Sequence, residues 1–391
     1  MPNKSKDPFI VFGAPDIHEQ EIAEVESVMR SGWLGTGPRV AQFESGFGEY
    51  VGISPSKVAA VNSCTAALHV SMVAAGLQPG DEVLTTAMTF CATANAIIHA
   101  GAIPVPVDID RRTQNIDCRK IRERITDRTR AIVPVHFAGR ACDMDELGAI
   151  AREFDLKLIE DCAHAIETEW KGRKAGTFGD FGCFSFYVTK NITTGEGGMV
   201  IARSESAIER IKVLALHGMT KDAWRRFSDE GYRHYQVVEA GFKYNMMDLQ
   251  AAIGLHQLQR IEASWKRRRE IWSRYQQAFE ALPVVTPAEP EPDTRHAFHL
   301  YTLLIDKSTA GIDRDSFMAR LTGEGIGVGV HYLSLASHPH YQERFGWRPE
   351  DYPVADHISQ RTVSLPLSAK LDDAEVDRVI EAVTGTLQGS A

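Results

Sequence analysis

From about residue 58 onward, near-continuous apolar runs alternate with helical patterns, and no other feature constrains the fold as strongly. VAAVNS, DEVLTTA, PVPVDI, AIVPVHF and KLIEDC read as strands. Between them, TAALHVSMVAAGL, FCATANAIIHAG, a stretch around Cys118–Ile125, and Met144–Phe154 carry apolar residues at helical spacing. Strands that are apolar along their whole length, separated by helices, predict an α/β fold with a mainly parallel sheet covered on both faces. Ahead of them, Ile17 to Met29 predicts an amphipathic helix, followed by the turn SGWLGTGP and a second helix ending near Tyr50. Met246 to Leu282 predicts a helix or helix pair, and the Pro-rich LPVVTPAEPEPDT (282–294) marks a boundary. Beyond it, AFHLYTLLI, a helix over 313–322, IGVGVHYL, TVSLPL and a helix from 371 compose an α+β unit. The expected division is 1–281, an N-terminal arm and large domain with its connecting helix, and 282–391, a small C-terminal domain.

A chain of 391 residues with 43% hydrophobic and 24% charged residues can bury a large core. Its net charge of −9 argues against a partner held through a phosphate backbone. The one basic run, Lys266-Arg267-Arg268-Arg269, falls in a helical pattern and reads as a solvated face or a subunit contact. The six cysteines, Cys64, Cys91, Cys118, Cys142, Cys162 and Cys183, show neither CxxC pairs nor metal spacing, which suits reduced thiols. The N-terminus has no apolar signal core and no segment approaches ~20 uninterrupted apolar residues, so a cytoplasmic protein without membrane insertion is expected.

Ligands of open α/β sheets bind at the carboxyl edges of the strands, and the chemistry-bearing residues gather there. Asp161 ends LKLIED; a helix cap or turn acid is the plain alternative. Lys190 follows the apolar CFSFYV and precedes the glycines of NITTGEGG, at 195, 197 and 198, which let the backbone approach a ligand closely. Pyridoxal 5′-phosphate (PLP) has a cationic ring nitrogen, a phosphate and an aldehyde, and it needs this set of partners. The acid stabilises the protonated ring, the lysine amine condenses with the aldehyde, and a phosphate suits a helix start such as the turn Ser63-Cys64-Thr65. A partly desolvated lysine beside a cationic ring has a lowered pKa, so its free amine can exchange protons.

The segment IEDCAHAIETEWKGRKAGTFGDFGCFSFYVTKNITTGEGGMV resembles the DegT-type nucleotide-sugar aminotransferases, of the aspartate-aminotransferase-like fold (PLP fold type I). The likeness runs from about Pro15 to Leu387, and NSCTAAL resembles the family's SGTAAL motif with Cys64 in the glycine position. By this resemblance Lys190 and Asp161 are catalytic. Ser63, Cys64, Thr65 and Ser185 hold the phosphate, Phe90 stacks on the ring, and His164 sits over the ring or bonds its 3′-oxygen. His164 stands where many relatives carry Gln. GFKYNMMDLQAAIGLHQL (241–258) resembles a segment near a dimer interface, with Asn245 reaching the phosphate of the neighbouring subunit; helix capping by Asn245 or Asp248 is the structural alternative. SGWLGTGP, HGMTKDAW and GVGVHYL resemble stretches around a nucleotide-sugar pocket, which makes Trp33, His217 and His331 substrate candidates.

The resemblance implies a homodimer that takes an amino group from an amino acid, glutamate, through pyridoxamine phosphate (PMP) to a nucleotide-linked keto sugar. HGMTKDAW and GFKYNMMDLQ look most like the branch acting on UDP-4-keto sugars. Two other readings compete. A PMP-dependent sugar dehydratase replaces the lysine with histidine in relatives, so Lys190 counts against it. A PLP-binding regulator without turnover has little support, since the chain shows no helix-turn-helix extension and no basic surface. The glycines of GEGIGVGV (323–330) do not form a dinucleotide fingerprint.

Overall fold

The computed structural model describes residues 8–220 and 235–389. Among the described residues there are twelve strands: β1 (Val58–Val61), β2 (Glu82–Thr86), β3 (Ile103–Val107), β4 (Thr129–Val133), β5 (Lys157–Asp161), β6 (Glu169–Trp170), β7 (Arg173–Lys174), β8 (Phe181–Ser185), β9 (Gly198–Ala202), β10 (Thr294–Arg295), β11 (Tyr301–Leu304) and β12 (Thr362–Leu365). Seven of them form one sheet in the order β1-β9-β8-β5-β4-β2-β3, in which β9 alone runs against the rest. The expected α/β architecture is therefore the observed one. The single reversed strand turns the chain back after Lys190 and brings Gly198 beside the carboxyl ends of β8 and β5.

Alternation along the strands explains the layers. Ala59 and Val61, Phe181 and Cys183, and Val200 and Ala202 enter one core with the helices Cys64–Ala74 and Glu205–Leu214. Val58 and Ala60, Phe184, and Met199 and Ile201 enter the opposite core with the helix Pro38–Val51. Period-two side-chain geometry thus buries both faces of one sheet.

The helix expected from Ile17 begins at Glu19 and runs to Ser31. The Glu21 carboxylate accepts from the His18 amide at 2.9 Å, which fixes the start, and Gly32 at φ 74° ends the helix in the left-handed region. Met246–Leu282 resolves into two helices, Asp248–Gln259 and Ile261–Phe279, broken at Arg260. Ile271, Trp272, Tyr275 and Phe279 of the second helix pack with β11, β12 and the helices Arg314–Gly323 and Asp373–Gln388 as the C-terminal core. Ile10 from the N-terminus is buried in that same core. IGVGVHYL contributes bridges rather than a strand, from Ile326 to Ile10 and from Gly329 to Ser364.

The basic run at 266–269 corrects a sequence expectation. Arg268 is buried, 2% exposed, and pairs with the fully buried Glu167. The reason is helical period: Arg268 shares a stripe with Ile261, Ile271 and Tyr275, all buried.

Glu160, one residue before Asp161, points to the other side of β5. Its carboxylate accepts from the amides of Gly176 (2.7 Å), Phe178 (2.8 Å) and Gly179 (2.7 Å). His136 completes the set at 3.1 Å. Because His136 Nδ1 accepts from the Cys142 amide, Nε2 carries the hydrogen given to Glu160. Cys162 lies close to both, but the carboxylate is already saturated by four donors, so this cluster is a structural knot. Replacing Glu160 by Ala strands those donors in the interior. The expected loss is about 3–5 kcal/mol of stability, checked by chemical denaturation of the Glu160→Ala protein.

Candidate active site

A cavity of about 520 Å³ opens at the carboxyl ends of β1, β5 and β8. Of the residues singled out from sequence, it gathers Ser63, Cys64, Thr65, Phe90, Asp161, His164, Ser185, Lys190 and His331. Thr89, Thr93, Tyr187, Glu196, Gly197 and Tyr332 also line it.

Ser63, extended at φ −166°, caps the helix Cys64–Ala74, its hydroxyl accepting from the Ala66 amide at 3.1 Å. The Ala67 amide bonds to the Ser63 carbonyl, so the amides of Cys64 and Thr65 have no acceptor within the helix. A helix start with free amides and the positive end of the dipole is suited to an anion. A Cβ added at Gly198 would lie 2.5 Å from the Ser63 carbonyl carbon. This glycine serves the close packing of β9 against the turn, while Gly197 lines the cavity itself.

Asp161 is 4% exposed. Oδ1 accepts from the Ala163 amide at 3.1 Å and Oδ2 from the Thr93 hydroxyl at 2.8 Å. Burial raises its pKa above the ordinary carboxyl value, and these two bonds and the Lys190 charge oppose the rise. Among the described residues no cation forms an ion pair with Asp161, so a buried acid faces the cavity short of a positive partner. A cationic ring nitrogen supplies that partner.

Lys190 lines the same cavity with its pKa lowered to about 8, because burial disfavours the ammonium; Cys64 and Asp161 resist the shift. An amine poised near neutrality is nucleophilic and can also carry a proton. A buried acid, an amine of lowered pKa and an anion-binding helix start around one cavity fit a ring that bears a basic nitrogen, an aldehyde and a phosphate.

Behind the cavity runs a buried polar network. Arg268 pairs with Glu167, and Asn191 Nδ2 donates to Glu167 Oε2 at 2.7 Å. His299 Nδ1 meets Asn191 Oδ1 at 2.8 Å, and its ring lies 4.3 Å from that of His164. The His164 pKa is held well below the imidazole value by burial, then by the charges of Lys190, His299 and His331. His331 is likewise lowered to about 4 by burial and Lys190, and its Nδ1 is 2.8 Å from the Ser364 hydroxyl.

Three sequence candidates lie outside this cavity. Asn245 bridges to Val61 and donates to the Thr36 hydroxyl at 2.7 Å. Trp33 donates to the Thr36 carbonyl at 3.0 Å, so these two residues meet on one turn. His217 is exposed at φ 58°, its amide bonded to Phe242. The rest of HGMTKDAW, from Lys221 to Trp224, lies outside the described residues. Sequence reasoning missed Thr93, Tyr332, Asn191 and His299. Thr93, three residues past the helix cap Phe90, had the only local signal, a hydroxyl in the first turn at a strand's carboxyl edge.

Residues 15–384 match the DegT/DnrJ/EryC1/StrS aminotransferase family. The chain is 48% identical over 383 residues to the spore coat polysaccharide biosynthesis protein SpsC of Bacillus subtilis, covering 98% of each. Its structure superposes on the aminotransferase TlmJ of Streptoalloteichus hindustanus with a TM-score of 0.89 at 34% identity, over 97% of this chain and 99% of that one. The PLP form of Spr1654 from Streptococcus pneumoniae, described as a sugar aminotransferase, gives 0.90 at 32% identity, over 98% of this chain and 100% of the other.

The cavity geometry makes the amine itself testable. In protein freed of cofactor, capture of Lys190 by a simple aldehyde and borohydride, read by mass spectrometry, is expected to rise through a midpoint near pH 8. In Asp161→Asn the midpoint falls, because the carboxylate that favours the ammonium is gone.

Proposed function

Because this chain belongs to the DegT/DnrJ/EryC1/StrS aminotransferase family and is a PLP-dependent sugar aminotransferase, we propose that it moves an amino group from L-glutamate to a UDP-linked 4-keto sugar. The reading rests on Asp161 and Lys190 facing one buried cavity beside a helix start with free amides. When bound, PLP supplies an electron sink that lets an amino group leave an amino acid and join a ketone.

The residues divide the remaining work. Lys190 would hold the cofactor through Nζ, and its free amine can hold and move a proton at that atom. Asp161 pairs with the ring nitrogen, and Thr93 and the Ala163 amide keep its carboxylate aimed. The Cys64 and Thr65 amides, with the hydroxyls of Ser63 and Ser185, receive the phosphate. Phe90, 57% exposed at the cavity wall, offers a ring face for stacking.

His331 reaches the sugar from the cavity rim. Asn245, Trp33 and His217 act across a subunit boundary in a cytoplasmic homodimer, which is where their position outside this chain's own cavity leaves them a role. Trp33, Leu34, Met247, Val237 and Val238 are exposed apolar side chains that a second copy would cover. The relative SpsC is named for spore coat polysaccharide biosynthesis and the structural neighbour PseC of Helicobacter pylori for the biosynthesis of pseudoaminic acid, which supports a product destined for a surface polysaccharide.

A panel of keto-sugar nucleotides offered with glutamate, read by 2-oxoglutarate release, is expected to single out UDP-4-keto sugars; turnover confined to 3-keto sugars or to other nucleotides overturns that choice. Lys190→Ala is expected to lose turnover while its circular dichroism stays that of the parent, and near-parental turnover would remove Lys190 from the mechanism. Asp161→Ala is expected to lose rate on the order of 100-fold and to retain cofactor poorly.

A further inference from the structure

Tyr332 has a hydroxyl hydrogen with no assigned recipient. It lines the cavity from the loop that follows the Gly329 bridge, its ring 6.0 Å from those of both Phe90 and His164. Its oxygen lies 3.0 Å from His164 Nε2. Which atom donates there is fixed from the far side of the imidazole. The Ala138 amide gives its hydrogen to His164 Nδ1 at 3.2 Å, so Nδ1 is the acceptor nitrogen. A neutral imidazole then carries its single hydrogen on Nε2 and donates it to the Tyr332 oxygen. The ring is neutral because it is buried among the charges of Lys190, His299 and His331. Tyr332 therefore accepts from His164, and its own O–H is left to donate into the cavity.

We propose that Tyr332 donates this hydrogen to the oxygen of the bound cofactor ring next to the aldehyde carbon, with His164 as the positioning residue that sets the hydroxyl's direction. The inference rests on Lys190 and Asp161 holding the cofactor between them, in the cavity that Tyr332 also lines. From sequence, the imidazole at 164 is expected to sit over the ring or to bond this oxygen; the hydrogen-bond order favours a contact one residue further out, with the histidine as its support. The bond favours negative charge on that oxygen and so lowers the proton affinity of the nitrogen that links Lys190 to the cofactor. The ionisable groups around this point are Asp161 from β5, Cys91 from the helix Cys91–His99, His331 on the same loop, His164 with His299 behind it, Glu196 and Lys190. All of them stay in place in Tyr332→Phe, so a change in midpoint reports the lost hydroxyl.

The test is a pH titration of the visible band of holoprotein without substrate. In Tyr332→Phe, which keeps the ring and its packing, the midpoint is expected to rise by about one pH unit. His164→Asn retains an acceptor for the Ala138 amide but cannot reach Tyr332, and a smaller rise in the same direction is expected. A midpoint unchanged in Tyr332→Phe, with the band itself intact, overturns the role of Tyr332 and leaves the assignment of Lys190 standing. A parent holoprotein whose band survives Lys190→Ala unaltered overturns both.

Discussion

Two neighbouring carboxylates at the end of β5 face opposite sides of the sheet, and much of the molecule follows from their unequal treatment. Glu160 is met by three backbone amides and His136, and it ties the loop 176–179 beneath the sheet. Asp161 has one amide and one hydroxyl and, among the described residues, no cation paired with it, although it is nearly as buried. Desolvating a carboxylate is costly unless charge or hydrogen bonds compensate. One acid is compensated by the fold. The other is left for a ligand to compensate, and strand alternation alone separates the two roles.

The second constraint is that the cavity wall is built from both ends of the chain. Lys190 lies in the connection between β8 and β9 of the large sheet, whereas His331 and Tyr332 come from the segment that bridges to Ile10 through Ile326 and to β12 through Gly329. The Arg268–Glu167–Asn191–His299 network joins them, running from the long helix Ile261–Phe279 into the wall behind His164. Removing one partner from so buried a chain leaves an uncompensated charge or donor, so its members rigidify the site jointly. The positions of the rim residues are thus set by packing more than twenty residues away in sequence.

That distinction explains what was legible in the chain. The strands and their carboxyl-edge residues are written in local periods, and Ser63, Asp161 and Lys190 could be placed from neighbours in sequence. Arg268 could not, because KRRR reads as solvent-facing until the stripe through Ile261, Ile271 and Tyr275 shows which of the four turns inward. Tyr332 and His299 were hidden for a different reason. The role of Tyr332 depends on the His164 tautomer set by the Ala138 amide, and that of His299 on its contact with Asn191, both between segments far apart in sequence. Gly198 was read as making room for a ligand, yet its nearest neighbour is the backbone of Ser63.

Cys64 in the anion-binding turn raises a chemical problem that the structure also answers. A thiolate beside an aldehyde-bearing cofactor would compete with the lysine for the carbonyl carbon, since the thiolate is the nucleophilic form. Burial pushes the Cys64 thiol well above its ordinary pKa, and the negative potential of Asp161 and Cys183 adds to the effect, against the opposing charge of Lys190. The same burial that frees the lysine from its proton binds the thiol to its own. Desolvation always favours the neutral form, so one dry environment activates an amine and silences a thiol. The side chain at position 64 can therefore carry sulfur because the extended Ser63 cap needs no glycine after it, and because the pocket that makes Lys190 reactive makes Cys64 inert.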